Sequence, residues 1–122
     1  MLAVTRYRVT ESASGAFVSQ ARSALSVLAA QPGWRSGEVG RAVDDPGLWV
    51  IATQWADVGS YRRALSAYDV KVSAVPLLSQ AIDEPTAFEL LTDTDETAHA
   101  ADAATVGIGA AAAPVVRTDL TR

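Results

Sequence analysis

Residues 32–57, PGWRSGEVGRAVDDPGLWVIATQWAD, contain two strand-like runs that are joined by a turn and followed by the start of a helix. The two runs are residues 34–43 and residues 48–55. The DDPG sequence between them predicts the turn at residues 44–47, because Asp favours its first position, Pro fixes φ and Gly accepts φ > 0. Asp57 has the side chain of a helix N-cap. The stretch therefore predicts a β-hairpin that leads into a helix.

The sequence on either side of this hairpin predicts further helices and strands. Residues 2–9 alternate and are rich in β-branched and aromatic side chains, which is typical of a strand. A helix capped by Ser12 or Ser14 follows and continues to about Gln31, because its apolar residues recur at helical spacing. After the hairpin, the pattern predicts a helix at 57–67, a short helical segment at 70–82 that Pro76 interrupts, and a strand at 85–91.

The resulting order of elements, β-α-β-β-α-β, predicts a ferredoxin-like α+β fold, in which a four-stranded antiparallel sheet has both helices on one face. The strand at residues 48–55 is apolar on both faces, so both faces must be covered. The helices cover one face, and the other face needs a second cover, which indicates oligomerisation. On that second face we expect Arg6 and Arg8 to pair with Glu89, because charges inside a barrel must be neutralised.

The composition of the 122-residue chain excludes several classes of function. A formal net charge of -4 without a basic stripe disfavours nucleic-acid binding, because phosphate neutralisation supplies most of that affinity. The absence of cysteine excludes disulfides, thiolate nucleophiles and Cys-ligated metals. No apolar run approaches the ~18–20 residues that cross a bilayer, and Arg6 and Arg8 come too early for a signal peptide. We therefore expect a cytoplasmic protein with neither a nucleic-acid nor a membrane partner.

The last thirty residues differ from the rest of the chain. Residues 93–102 are acidic and polar, and residues 105–122 are Ala-rich with a short apolar segment. We therefore divide the chain into a domain at 1–92 and a tail at 93–122. Two interpretations of the tail remain open: it is a loose end, or it is a docking arm whose Ile108, Val115 and Val116 bind a protein partner.

Four pieces of the sequence together resemble a known family. They are VTRYRV at residues 4–9, QPGW at 31–34, ATQWAD at 52–57 and VGSYRRAL at 58–65. They resemble the antibiotic biosynthesis monooxygenase family, within the dimeric α/β-barrel superfamily, over about residues 1–92. The resemblance implies a homodimer in which two sheets pack face to face as a closed barrel, with a substrate cleft between each sheet and its own helices.

The resemblance also implies a choice of chemistry. Some members oxidise aromatic polyketides or quinols with O₂ and without a cofactor, and others degrade haem. The haem-degrading branch implies an Asn on the first strand and a Trp and a His on and after the second helix, but Thr5, Ala64 and Ser73 stand near those positions here. The only histidine is His99, in the tail. We therefore expect no haem, no other cofactor and no metal.

A cofactor-free oxygenase must bind a flat aromatic molecule, assist the loss of a proton and stabilise an oxyanion. Two phenols are the predicted catalytic groups, Tyr68 and Tyr61, because seven residues span two helical turns and place both on the sheet side. The predicted substrate-binding residues, which we expect to face the helix-side cleft, are Thr5, Tyr7, Trp34, Trp55 and Phe88. Each of the aromatic residues has an alternative role in the core, and Trp55 most of all.

Two functions therefore remain open. The first is a cofactor-independent monooxygenase that acts on a small aromatic or quinol-like substrate with O₂. The second is a non-catalytic dimeric ligand-binding or scaffold module whose C-terminal arm docks on a partner. An enclosed cleft of at least ~300 Å³ with converging polar groups favours the enzyme, and a core packed shut favours the scaffold.

Overall fold

The computed structural model describes residues 1–92, so the predicted tail lies outside the described residues. Met1–Glu89 forms one compact unit, and a second unit begins at Leu90. The predicted domain boundary after residue 92 stays a prediction. The described strands and helices are β1 (Leu2–Arg8), α1 (Ser14–Ala29), β2 (Trp34–Ala42), β3 (Asp45–Trp55), α2 (Val58–Leu65), α3 (Tyr68–Ser73), α4 (Val75–Leu78) and β4 (Ala87–Phe88), with a 3-10 turn at Glu11–Ala13 before α1.

The four strands form one antiparallel sheet in the order β2-β3-β1-β4. β3 is the longest strand, and it lies between β2 and β1, with Trp49 opposite Tyr7 and Thr53 opposite Ala3. This order confirms the predicted ferredoxin-like α+β fold. The helices pack on one face of the sheet, where the stripe of α1 buries Phe17, Ala21, Ala24 and Leu28.

The turn of the β2–β3 hairpin lies earlier than the DDPG sequence predicts. Ala42 pairs with Asp45, so Val43 and Asp44 form the turn, and residues 46–48 bulge out before Trp49 pairs with Arg41. Pro46 has no N–H to donate, which suits a bulge better than a regular ladder position. Asp45 instead fixes the bulge, because its carboxylate accepts hydrogen bonds from the Gly47 N–H at 3.2 Å and from Arg8 at 2.8 Å.

The helical region after β3 is broken into three pieces. α2 begins as predicted, because the side chain of Asp57 accepts a hydrogen bond of 2.7 Å from the backbone N–H of Ser60. α2 ends at Leu65, and Ala67 is extended at φ −68° and ψ 142° before α3 begins. Pro76 lies in the first turn of α4, where its missing N–H has no helical partner to lose.

β4 is much shorter than the predicted strand at 85–91. Only Ala87 and Phe88 pair with β1, opposite Ala3 and Leu2. Upstream of them, the outer edge of β1 is joined to the preceding loop by two separate hydrogen bonds. The Val4 N–H donates to the Thr86 carbonyl at 2.7 Å, and the Ile82 N–H donates to the Arg6 carbonyl at 2.8 Å.

The two faces of the sheet differ in burial. The covered face, which packs on the helices, is fully buried along the two central strands. The open face carries half-buried side chains on the same strands. The covered face consists of Ala3, Thr5, Tyr7, Trp49, Ile51, Thr53 and Trp55, and the open face of Leu2, Val4, Arg6, Leu48, Val50, Ala52 and Gln54.

The arginines of β1 are paired, but not with the predicted acid. Both oxygens of Glu84 accept hydrogen bonds from the Arg6 guanidinium, at 2.7 and 2.8 Å, and Arg8 binds Asp45 at 2.8 Å. The expected partner, Glu89, lies beyond the two-residue β4 and is exposed. The loop before β4 therefore supplies the acid that the sequence pattern assigned to the strand.

Candidate active site between the sheet and its helices

The polar groups of the covered face converge on one small internal cavity. Thr5 and Thr53 are buried on β1 and β3, and Tyr61 reaches the same point from α2. The cavity has a volume of about 10 Å³, which is close to the space that one water molecule occupies. Its lining consists of Ala3, Thr5, Leu28, Ile51, Thr53, Tyr61 and Leu78.

Hydrogen bonds within the covered face satisfy most of these groups. The Tyr7 hydroxyl donates to Thr5 Oγ1 at 2.8 Å, and the Thr5 hydroxyl donates to the Ile51 carbonyl at 3.4 Å. The Trp55 indole N–H donates to Thr53 Oγ1 at 2.9 Å. Buried polar groups without such partners would each destabilise the fold by about 1–3 kcal/mol. The network therefore fixes Tyr7 and Trp55 in place.

Two aromatic clusters flank the cavity along the covered face. The Phe17 cluster consists of Tyr7, Phe17 and Trp49, with ring centroids 5.0 Å apart for Tyr7–Phe17 and 5.4 Å apart for Phe17–Trp49. The Trp55 cluster consists of Trp34, Trp55 and Tyr61, with Trp34 edge-on to Trp55 at 5.4 Å and Tyr61 tilted at 5.7 Å. Such tilted and edge-on contacts are favourable between aromatic quadrupoles. The rings of both clusters are packed in the buried core, except that Trp34 and Tyr61 are only partly buried.

The two phenols beside the cavity differ in their availability. Burial raises the pKa of Tyr61. Burial also raises the pKa of Tyr7, where the hydrogen bond to Thr5 acts in the opposite direction and the nearby Tyr61 phenol adds to the rise. Both groups are therefore neutral donors at neutral pH. The Tyr7 proton is committed to Thr5, whereas no residue within 1–92 accepts a hydrogen bond from Tyr61. Tyr61 is the phenol that can donate to a ligand.

Five of the seven predicted site residues lie together on the helix side of the sheet. Thr5 and Tyr61 line the cavity, Tyr7 binds Thr5, and Trp34 packs on the buried Trp55. Trp55 has the structural role that its burial and its bond to Thr53 require. These positions agree with the expected helix-side location, and the assignment of each residue to substrate binding or catalysis stays a prediction.

The expected orientation of Tyr68 is wrong. Its side chain is 79% exposed, because the extended Ala67 separates α2 from α3 and removes the helical phase that linked Tyr68 to Tyr61. A separation of seven residues places two side chains on the same side only when both belong to one continuous helix. The structure therefore does not bring the two phenols together, and we leave Tyr68 outside the candidate site.

The expected orientation of Phe88 is also wrong. Phe88 pairs with Leu2, and it borders an open depression on the open face with Val4, Arg6, Glu84 and Pro85. Since successive side chains of a strand point to opposite faces, a register that differs by one residue moves a side chain to the other face. Phe88 is 44% exposed there and cannot reach the helix-side cavity.

Two residues of the candidate site are missing from the sequence-based set. Thr53 lines the cavity, and Trp49 belongs to the Phe17 cluster. A signal for both existed, because residues 49, 51, 53 and 55 share one face of a strand and Trp55 was assigned to the helix side. The Trp49 indole nitrogen is buried and has no hydrogen-bond partner among residues 1–92.

Within residues 1–92, no group of three or more acidic or histidine side chains is close enough together to hold a metal ion. In the same range, no helix has both the length and the apolar character that crossing a bilayer demands.

The sheet order defines a ferredoxin-like α+β protein, with a small cavity between the sheet and its helices. Residues 1–72 match the antibiotic biosynthesis monooxygenase family, and this match covers more than half of the 122 residues. The chain belongs to that family. No curated protein matches the sequence.

Several solved structures are similar to this chain. One is SnoaB, a cofactor-independent oxygenase from Streptomyces nogalater, which is 26% identical with a TM-score of 0.59 over 75% of this chain and 96% of that chain. A conserved protein from Methanosarcina mazei Go1 is 21% identical, with a TM-score of 0.58 over 70% of this chain and 84% of that chain. Rv0793 from Mycobacterium tuberculosis is 14% identical, with a TM-score of 0.60 over 75% of this chain and 95% of that chain. The last two share the fold.

Proposed function

We propose that this protein is a cofactor-independent monooxygenase that oxidises a small aromatic or quinol-like substrate with O₂. The observation that carries the proposal is the convergence of Thr5, Thr53 and Tyr61 on a cavity between two aromatic clusters. Membership of the family and the similarity to a cofactor-independent oxygenase support it. The substrate site lies on the covered face of the sheet.

The proposed reaction draws its electrons from the substrate. A phenol or an anthrone loses a proton, and the resulting anion reduces O₂. In an anthrone, one oxygen atom replaces the two hydrogens of the ring CH₂ and forms a carbonyl, and the other oxygen leaves as water with those two hydrogens. In a phenol, one of the two hydrogens comes from a ring carbon and the other from the hydroxyl, so a quinone and water form. The neutral Tyr61 phenol donates a hydrogen bond to the substrate anion, and the buried surroundings strengthen that bond. The residues that line the cavity include neither a carboxylate nor an imidazole, so the substrate's own acidity drives proton loss.

Substrate binding requires the cavity to enlarge. A flat aromatic substrate needs a site of about 300 Å³ or more, and the cavity holds about 10 Å³. Tyr61 and Leu78 reach the cavity from α2 and α4, which are only eight and four residues long. We propose that these two side chains withdraw as the substrate enters, because short helices interrupted at Ala67 and Ala74 rearrange more easily than the sheet or α1.

We also propose that the protein is a homodimer that buries the open face. The family's dimeric barrel supports this assembly, and so does the half-buried apolar surface of Val4, Val50 and Ala52. The depression beside Phe88 has a volume of about 340 Å³ and lies on the same face. A second sheet packed there would fill it with side chains of the partner.

The test is O₂ uptake by the metal-free protein with a panel of anthrones and hydroquinones. We expect turnover above the uncatalysed rate, and we expect Tyr61→Phe to reduce kcat by about 10-fold or more, because it removes one oxyanion donor. Tyr68→Phe is the matched control, since it makes the same chemical change at an exposed position. Turnover that is absent, or equal in the parent and Tyr61→Phe, contradicts the proposal.

A second candidate function is favoured by the small volume of the cavity. A core packed nearly shut suits a non-catalytic ligand-binding or scaffold module, whose tail at 105–122 would dock on a partner. Crystals soaked with the same anthrones separate the two candidates. Density for a ring between the sheet and α2 supports the oxygenase, whereas an unchanged core together with zero turnover supports the module.

A further inference from the structure

Trp49 differs from the other buried tryptophan of the covered face. Trp55 is 1% exposed, and its indole N–H donates to Thr53. Trp49 is 8% exposed, and its indole nitrogen is shielded from solvent without any acceptor among residues 1–92. Native structures leave few buried donors unpaired, and each such donor requires an explanation. The unpaired indole of Trp49 is therefore the feature that the covered-face network does not account for.

The immediate neighbours of Trp49 offer no good acceptor. Phe17 lies at a ring distance of 5.4 Å with a tilt of 58°, which allows at most a weak N–H···π contact. Tyr7, which is opposite Trp49 in the ladder, gives its hydroxyl proton to Thr5. The Arg41 guanidinium lies over the Trp49 ring at 5.3 Å and carries only donors. The surroundings of the indole are thus aromatic and cationic, which suits a ligand that brings an oxygen acceptor.

We infer that the Trp49 indole N–H is a binding group for the oxygen of an aromatic ligand, namely a ring carbonyl or a phenolate. Trp49 lies two residues along β3 from Ile51, which lines the cavity, so the two side chains share one face at a spacing of about 7 Å. A planar ligand that occupies the enlarged cavity can place its rings against the Phe17 cluster and its oxygen at the indole.

This inference names the ligand class and rests on the proposed location of the substrate site. The Phe17 cluster supplies ring surfaces, the indole supplies one donor, and Arg41 supplies a nearby positive charge. A cation close to the acceptor favours an oxygen that carries negative charge. The ligand is therefore an aromatic molecule with an oxygen attached directly to a ring, and the deprotonated form binds more tightly than the neutral form.

The first experiment observes the indole directly in the unmodified protein. Protein labelled with ¹⁵N at the indole gives one signal from each of the three tryptophans, and the Trp49 signal is the one that Trp49→Phe removes. We expect anthrone to move the Trp49 indole proton downfield, as hydrogen bonding does. We expect 9,10-dihydroanthracene, which has the same fused rings without the oxygen, to leave that proton where it is.

The second experiment measures affinity for the same two probes. Trp49→Phe keeps an aromatic ring but removes the N–H, so we expect about 3- to 10-fold weaker binding of anthrone and unchanged binding of 9,10-dihydroanthracene. Arg41→Gln, at an exposed position, is expected to weaken anthrone binding more at a pH where the ligand is ionised than where it is neutral. The folded state of Trp49→Phe is checked by its two remaining indole signals, and that of Arg41→Gln by all three.

The outcomes separate this inference from the oxygenase proposal. A Trp49 signal that does not respond to any aromatic probe overturns the inference, and so does an equal loss of affinity for both probes. O₂ uptake is measured in parallel with the same anthrone. If anthrone is turned over but the Trp49 signal does not move, the oxygenase proposal stands and this inference fails. If the Trp49 signal moves but anthrone is not turned over, Trp49 is a binding group and the oxygenase proposal fails.

Discussion

The two faces of the central strands β1 and β3 are built from alternate residues of the same chain, but they differ in how their polar groups are paired. The covered face pairs three of its buried hydroxyl and indole donors, those of Thr5, Tyr7 and Trp55, with neighbours on the same face. The open face keeps aliphatic side chains half-buried and has a bidentate ion pair, Arg6–Glu84, at its margin. Neutral hydrogen bonds therefore serve the buried face, whereas the half-buried face is aliphatic at its centre and carries charge only at its margin.

The largest effect that we expect comes from a charge on the open face. Ala52→Asp places a carboxylate directly opposite Val4 and Glu38, neither of which is a cation, and the diagonal neighbour Arg6 is already paired with Glu84. If two open faces meet in a dimer, that dimer contains two uncompensated buried charges, and the Kd rises by at least about 1,000-fold. Sedimentation at micromolar concentration measures the change.

The control for this variant is Ala16→Asp, which makes the same substitution at an exposed position of α1 and should leave the sedimentation coefficient unchanged. A parent protein that sediments as a lone subunit would falsify the assignment of the open face to a second copy. An Ala52→Asp variant that remains dimeric places the interface elsewhere.

The next largest effect concerns the covered face. Trp55→Ala removes a side chain that is 1% exposed and contacts Trp34 and Tyr61, so we expect the free energy of unfolding to fall by about 3–5 kcal/mol. Leu48→Ala changes a half-buried residue of the same strand on the open face, and about 1 kcal/mol is expected there. Urea unfolding of both variants in an Ala52→Asp background excludes any contribution from association. Equal losses of unfolding free energy at the two positions would contradict the expected difference between the two faces.

A smaller effect is expected at the junction between the sheet and α2. Gly33 has φ +87°, and a Cβ at this position would collide with the side chain of Ser60. Gly33→Ala should therefore lower the free energy of unfolding by about 1–3 kcal/mol through backbone strain and steric conflict. Gly15→Ala, in α1 with open space around its Cα, is the control and should not destabilise the protein. Thermal unfolding of the two variants gives the comparison.

The smallest effect is the pH dependence of the ion pair beside the open face. The hydrogen bonds from Arg6 lower the pKa of Glu84 below its ordinary value of 4.5. Because the folded pKa is the lower one, the ionised pair stabilises the fold above pH 4.5, and this contribution disappears as the pH falls through the folded pKa. Glu84→Gln should therefore flatten the acid limb of stability against pH, whereas Glu89→Gln should leave that limb in place.

Much of the fold follows from residue patterns alone. Period-two alternation in residues 2–9 assigns Thr5 and Tyr7 to one face and Arg6 and Arg8 to the other, and the structure has them there. The N-cap at Asp57 is equally local, because one side chain and one backbone N–H decide it. Such features need no information about distant parts of the chain.

The errors share a different cause. The helix is interrupted at Ala67, so Tyr68 no longer follows the helical spacing that begins at Tyr61. Neither a glycine nor a proline marks this break in the sequence. Phe88 takes its face from its pairing with Leu2, and the loop before β4 sets that register rather than the strand's own residues. The choice of Glu84 over Glu89 has the same origin. The positions of Phe88 and Glu84 depend on contacts with β1, which is far away in sequence, and a local pattern does not record such contacts.

The interrupted outer edge of β1 has a consequence for behaviour at high concentration. Strands that expose a long, regular ladder recruit other chains and start fibrous aggregates. Here the loop that contains Pro85 contributes single bonds at Val4 and Arg6, and β4 adds just two paired residues. An incoming strand would therefore meet neither a continuous row of unpaired backbone N–H and C=O groups nor a regular, flat strand on that side. The irregular closure thus protects this edge of the sheet against edge-to-edge polymerisation without the need for a long fourth strand.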